Sequence, residues 1–287
     1  MTTKTAVVTG GTSGLGEAAA LALGKQGWRV LIVGRDAARG AEVARRAGNG
    51  SEFVPADLFS LADVRRVARE LTARAPALEL LVNNAGGVFS GSEVTVDGLE
   101  RTFALNVAAP FVLTQALLDA LAAAKGRVVN IVTGIQPGFS TKLEQLQGPK
   151  ASGGMFGYMR NKLALITLTQ AQQRRFGARG ITFVALHPGI IPNTRFGHTM
   201  KGFNPFTTIG PFFAKLFGIG VTPEVAAERY LGAATGPVEP AGYYYEGVLR
   251  PAPRQAQDAA FQDALWAFVE SPASAASRSS ATATSAA

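Results

Sequence analysis

The chain has 287 residues and no cysteine, which excludes disulfides, thiolate nucleophiles and cysteine-ligated metals. Its 47% hydrophobic content suffices for a large buried core, and its only two histidines, His187 and His198, argue against a histidine-based metal site. The formal charge of +8 comes from basic residues scattered along the chain, which favours anionic small ligands over a nucleic-acid surface.

The N-terminus runs from Met1 straight into a strand-like Thr5-Ala6-Val7-Val8, with no signal-peptide pattern, and no apolar run reaches the roughly eighteen residues of a spanning helix. The expectation is a soluble cytoplasmic protein. Short β-branched runs then alternate with longer amphipathic ones. Strands are predicted at 6–9, 30–33, 52–54, 78–82, 127–132, 181–186 and 243–245, and helices at 15–25, 37–47, 62–73, about 98–123, 155–176 and 223–236. A further helix over 256–269, carrying Trp266 and Phe268, would close over a substrate or cover a neighbouring molecule. Strands apolar on both faces and joined by helices predict an α/β fold, a doubly wound parallel sheet of Rossmann type. It forms a single domain over 1–270. The Ala/Ser/Thr-rich stretch 271–287 is expected to be disordered.

Directly after the first strand comes Thr9-Gly10-Gly11-Thr12-Ser13-Gly14-Leu15-Gly16, opening a helix. Glycines there let the backbone turn tightly and approach a pyrophosphate at the helix N-terminus. The second strand ends in Val33-Gly34-Arg35-Asp36. An acid at that end would bind a ribose 2′-hydroxyl, whereas the planar fork of Arg35 suits a 2′-phosphate, so the cofactor is read as NADP(H). Asp36 is expected to cap the next helix.

Tyr158 and Lys162 lie four apart, on one helical face. A phenol titrates near 10, so the expectation is that the ammonium, with a positive nicotinamide ring, lowers it and lets it exchange a proton with a substrate oxygen. Asn106 is followed four residues later by Pro110, which removes the helical partner of the Asn106 carbonyl. That carbonyl could then hold a water near Lys162 as a proton relay.

With these motifs in this order, the chain resembles the short-chain dehydrogenase/reductase family over residues 4 to about 250. The matching residues are the 9–16 run, Asn83-Asn84-Ala85-Gly86, Asn106, Tyr158 with Lys162, and Pro188-Gly189. Asn161-Lys162-Leu163-Ala164 and Leu186-His187-Pro188-Gly189 resemble its retinol-dehydrogenase-like branch. The resemblance implies that Gly10, Thr12, Ser13, Gly14, Leu15 and Gly16 cradle the cofactor, that Asp57 and Leu58 contact adenine, and that Asn84, Ala85 and Gly86 touch a ribose. It further implies that Pro188 and Gly189 hold the nicotinamide carboxamide, followed by Ile191 and Asn193, with Thr194 as the alternative to Asn193. His187 is read as a packed residue.

Where the family usually has a serine at the end of the fifth strand, this chain has Thr133, which keeps the hydroxyl and adds a methyl. Residues 196–221 combine phenylalanines with glycine hinges and are read as a lid for a bulky apolar carbonyl or alcohol, with peripheral membrane contact as a third reading. The function read is an NADP(H)-dependent oxidoreductase, acting as monomer or homo-oligomer. The alternative is a protein that senses NADPH without turnover.

Overall fold

In a computed structural model, residues 3–89, 93–147, 151, 153–189 and 223–284 are described. Six strands run parallel: β1 (Thr5–Thr9), β2 (Arg29–Gly34), β3 (Glu52–Pro55), β4 (Leu80–Asn83), β5 (Arg127–Ile131) and β6 (Thr182–His187). A seventh, β7 (Tyr243–Tyr245), pairs parallel to β6, and β8 (Val248–Arg250) returns antiparallel at the edge. The order is β3-β2-β1-β4-β5-β6-β7-β8 in one sheet, so the chain reverses direction of travel between β1 and β4. β8, which was not predicted, follows the tight Glu246-Gly247 turn, both residues at positive φ.

Both faces of the sheet are buried along its central strands, as the apolar runs require. Successive residues of a strand point to opposite faces. Thus Ala6 and Val8 join a core with α1 (Gly14–Lys25), α2 (Ala37–Ala47) and Tyr230 of α8 (Pro223–Thr235). Val7 joins the opposite core, with α3 (Leu61–Arg74) and residues of α7 (Gly154–Phe176). Asp36 caps α2, accepting the Arg39 N–H at 3.1 Å, as predicted. Several helix-borne arginines lie in ion pairs: Arg45 with Glu42, Arg46 with Glu17, Arg66 with Asp63 and Glu70, and Arg174 and Arg175 with Asp263.

The long helix expected over 98–123 is interrupted. It begins as α4 (Arg101–Phe103), passes through a π-helical turn (Ala104–Ala108), and resumes as α5 (Ala109–Ala116) and α6 (Leu118–Ala124), bent by 60°. Pro110 has no N–H to return to Asn106, and the bonding shifts by one residue, with the Ala109 N–H on the Ala104 carbonyl. Among the described residues no single helix is long and apolar enough to cross a membrane.

After the short α9 (Arg254–Gln257), α10 (Ala259–Thr284) docks on the molecule's own core. Trp266 meets Phe111 edge-on at 4.9 Å and Phe176 at 5.8 Å, and Phe268 meets Phe103 at 5.9 Å. Those aromatics therefore cover the sheet's α3/α7 face rather than a substrate. The helical backbone continues to Thr284, into the stretch composition assigns to disorder; alanine's high helix propensity is the local reason.

Candidate active site

Parallel strands bring their carboxyl ends to one edge, and ligands of such sheets bind where the strand order reverses, here between β1 and β4. The two strand ends are stitched together there. Thr9 Oγ1 accepts the N–H groups of Asn84 and Ala85, each at 3.0 Å, and Asn84 Nδ2 donates to the Thr9 carbonyl at 2.8 Å. Gly10 takes φ +65, and a Cβ on it would lie 3.0 Å from the Ala85 Cα. A Cβ on Gly16 would collide with the Gly10 carbonyl oxygen and lie 2.5 Å from Asn84 Nδ2. Only glycine lets α1 start this close to β1. Ser13 precedes α1 in extended conformation and its side chain makes no capping bond, so among the described residues no side-chain cap occupies the helix N-terminus beside Thr12, Gly14 and Leu15. This cradle fits a pyrophosphate.

At the next strand end Arg35 is exposed, with its guanidinium carbon 5.5 Å from the Phe59 ring centroid. Arg35, Asp57, Phe59, Ser60, Val96 and Arg101 help line a cleft of about 460 Å³. Arg101 also stacks on Phe59, at 4.7 Å, and is ion-paired with Glu93. Asp57 is exposed and accepts the Phe59 N–H at 3.1 Å, whereas the Leu58 side chain is buried in the core. An adenine contact at Leu58 would therefore fall to its backbone.

On α7, Tyr158 and Lys162 are both buried. Lys162 Nζ donates to the Ile131 carbonyl at the end of β5, at 2.8 Å, and lies 5.6 Å from the centre of the Tyr158 ring. Burial lowers the Lys162 pKa to about 7 and pushes the Tyr158 phenol above its ordinary value. The expected lowering needs the positive nicotinamide ring as well as the ammonium. Without a further positive charge, desolvation outweighs it, and the phenol holds its proton at neutral pH. The shifted lysine has a stability consequence. Between about pH 7 and 10 the unfolded chain binds the Lys162 proton and the folded chain does not, so stability rises with pH over that window. Above pH 10 the raised phenol works the other way. Thermal melting of the cofactor-free protein from pH 7 to 10 should show this slope, and Lys162→Met should flatten it.

Asn106 is fully buried in the π turn. Its Nδ2 donates to the carbonyls of Gly87 and Thr102, both at 2.8 Å, and its Oδ1 accepts the Gly87 N–H at 3.3 Å. It thereby clamps the loop after β4. A Cβ on Gly86 would lie 2.8 Å from Asn106 Oδ1 and 3.2 Å from Lys162 Nζ, so these three residues meet. Asn106→Ala would strand buried main-chain groups of Gly87 and Thr102 and should cost about 3 kcal/mol in unfolding free energy by denaturant titration.

Thr133 follows β5, half-buried, and its carbonyl accepts the Tyr243 hydroxyl at 3.4 Å. Pro188 and Gly189 follow β6, with Gly189 at φ +110, and His187 is buried edge-on against Tyr245 at 4.7 Å, which keeps its pKa low. Ile191, Asn193, Thr194 and the 196–221 segment lie outside the described residues. Three contributors went unassigned from sequence: Thr9 as the stitch, the Ile131 carbonyl as the lysine's seat, and Phe59 beneath Arg35. A fourth is a buried network in which Asn83 Nδ2 donates to Asn130 Oδ1 (2.8 Å) and Thr114 Oγ1 (3.0 Å), while Asn130 Nδ2 donates to Thr169 Oγ1 of α7 (2.9 Å). Its signal is an asparagine ending an otherwise apolar Leu-Leu-Val-Asn strand and another inside Val-Val-Asn-Ile.

Comparison with known proteins agrees with this geometry. The short chain dehydrogenase family model matches residues 4–202. Mouse retinol dehydrogenase 13 is 32% identical over 92% of this chain and 81% of its own. Mouse polyprenol dehydrogenase is 38% identical over 68% of this chain and 62% of its own. Among solved structures, the Pseudomonas aeruginosa RhlG/NADP active-site complex superposes with a TM-score of 0.66 at 28% identity, covering 85% of this chain and 95% of that one. A blue fluorescent protein from a metagenomic library, in complex with NADPH, gives 0.64 at 26%, covering 84% and 95%. The glycine cradle at the β1/β4 reversal, the Tyr158/Lys162 pair and these similarities together make the chain a member of the short-chain dehydrogenase/reductase family of oxidoreductases, in its retinol-dehydrogenase-like branch.

Proposed function

We propose that this protein is an NADP(H)-dependent oxidoreductase that moves a hydride between the nicotinamide and the carbonyl or alcohol carbon of a bulky, apolar small molecule. The observation that carries the reading is the buried pair on α7: Lys162 seated on the Ile131 carbonyl, 5.6 Å from the centre of the Tyr158 ring. A protonated phenol suits the reducing direction, in which the substrate oxygen needs a proton. When bound, the cofactor supplies or accepts the hydride. The chain does the rest. The cradle from Gly10 to Gly16 holds the pyrophosphate, Arg35 the 2′-phosphate, Asp57 and Leu58 the adenine, and Asn84 to Gly86 a ribose. Tyr158 gives the proton to the substrate oxygen, Thr133 donates a hydrogen bond to that oxygen, Lys162 orients a ribose, and Asn106 keeps the loop after β4 and the lysine together.

Retinol and polyprenol, the alcohols in the relatives' names, are both long and apolar, which supports the substrate class. Arg35 and the NADP- and NADPH-bound neighbours support the cofactor choice. Deuteride transfer from labelled NADPH into a panel of apolar aldehydes and ketones, read by mass, tests the reading. Label should appear in product. NADPH binding with no label in any product would favour a sensor. Arg35→Ala should lower kcat/KM for NADPH roughly 30-fold and leave NADH nearly unchanged, since one charge-assisted phosphate contact is lost. Equal losses with both cofactors would remove Arg35 from the 2′-phosphate site.

A further inference from the structure

Arg229, on α8, reaches across to the turn that follows β6. Its Nη1 donates to the Pro188 carbonyl at 2.9 Å, and its Nη2 lies 3.3 Å from Glu246 Oε2. Pro188 has no N–H, so its carbonyl is the one main-chain hydrogen-bonding group by which the turn can be held at that residue. A guanidinium is a strong donor with a planar fork able to serve two acceptors at once.

The brace behind Arg229 is itself fixed. Glu246 is the first residue of the β7–β8 turn, at φ +54, and its N–H donates to the His187 carbonyl at 2.8 Å. The aliphatic stem of Arg229 runs over the second residue of that turn, Gly247, where a Cβ would lie 3.6 Å from Arg229 Cγ. The strand leading into the turn is anchored on the catalytic side. The Tyr245 ring packs so close to Gly134 that a Cβ there would lie 2.6 Å from Tyr245 Cε2. The Tyr243 hydroxyl accepts the Ile135 N–H at 3.2 Å and donates to the Thr133 carbonyl. One hairpin thus buttresses the Thr133 loop and, through Glu246 and Arg229, the Pro188–Gly189 turn.

We propose that Arg229, braced by Glu246, is a positioning residue for the nicotinamide carboxamide, acting through the Pro188 carbonyl. The inference rests on the proposed function, in which the Pro188–Gly189 turn holds that carboxamide. The carboxamide fixes the rotation of the ring and so the placement of its C4 against the substrate. A turn left free to shift would loosen that placement while leaving the pyrophosphate and 2′-phosphate contacts, on the far strands, intact.

The test pairs the variant with a cofactor analogue. Wild type, Arg229→Met and Glu246→Gln are assayed with NADPH and with its reduced 3-acetylpyridine analogue, which lacks the carboxamide NH₂. Melting curves report folding. With NADPH, Arg229→Met should lower kcat about tenfold, the size of one charge-assisted hydrogen bond. With the analogue the loss should shrink to about twofold, because that cofactor has already lost the contact the arginine positions. Non-additivity of this kind marks two changes acting on one interaction. Glu246→Gln, which keeps the shape of the turn, should show the same pattern in smaller measure, and it carries the test if Arg229→Met does not fold. Equal fold-losses with both cofactors would overturn the positioning role and leave the oxidoreductase reading standing. A wild type that turns over neither cofactor with any carbonyl would instead overturn the reading beneath it.

Discussion

Tyr158→Phe should reduce hydride transfer roughly 10²–10⁴-fold, the range for removing a general acid or base, and leave NADPH affinity within a few-fold of wild type. The phenol is buried and burial raises its pKa, so at neutral pH it is a proton source of fixed position. Phenylalanine keeps the ring against Lys162 and removes only the hydroxyl. A substrate oxygen that gains charge as hydride arrives then loses the phenol as its proton donor. Single-turnover consumption of NADPH, with deuterium content of the product as a second reading, separates chemistry from binding. Turnover within tenfold of wild type would mean that another group delivers the proton.

Gly16→Ala should abolish measurable NADPH binding, weakening it at least about 100-fold (some 2.7 kcal/mol), and also cost about 1–3 kcal/mol in stability. The methyl group would meet the Gly10 carbonyl oxygen and Asn84 Nδ2, and neither can give way. Gly10 belongs to the β1 end, and the Asn84 amide is held by the Thr9 carbonyl. The clash would push α1 away from β1, and with it the N–H groups that face the pyrophosphate. Gly14 gives an internal contrast. It takes φ +58 with open space around the missing Cβ, so Gly14→Ala meets backbone strain of about 1 kcal/mol and no collision. Binding measured by NADPH fluorescence should therefore fall far more for Gly16→Ala than for Gly14→Ala. Similar losses for the two would show that the close approach of α1 to β1 does not set the affinity.

Much of this site was legible in the sequence because its parts are local. The glycines between a first strand and a first helix, the four-residue spacing of Tyr158 and Lys162, and Asn106 with Pro110 each carry their geometry within a few residues. What stayed hidden depends on contacts between distant segments. Nothing near Arg35 in the chain points to Phe59, and nothing near Pro188 points to Arg229, 41 residues on. The complete burial of Tyr158 and Lys162 was hidden for a related reason: spacing places an ammonium near a phenol but does not report how completely both are desolvated. Trp266 and Phe268 were misread because an aromatic pair on a terminal helix looks the same whether it meets a substrate or, as here, Phe111 and Phe103.

The asparagine–threonine chain under the site sets a tolerance on how α7 can move. Apolar packing degrades gradually as a helix slides, but a hydrogen bond loses most of its strength within an ångström or so. Thr169 Oγ1 accepts from Asn130 at 2.9 Å, and Asn130 in turn bonds Asn83 on the neighbouring strand. The helix that carries Tyr158 and Lys162 therefore has one depth against the sheet at which these partners are met, and a shift by one residue's rise of about 1.5 Å breaks the chain. Replacing these side chains with well-fitted aliphatics could leave the protein as stable, or more so, while letting the helix drift along its axis. Such a variant would melt no earlier than the parent yet catalyse less well, its phenol no longer held at a single height above the strand ends.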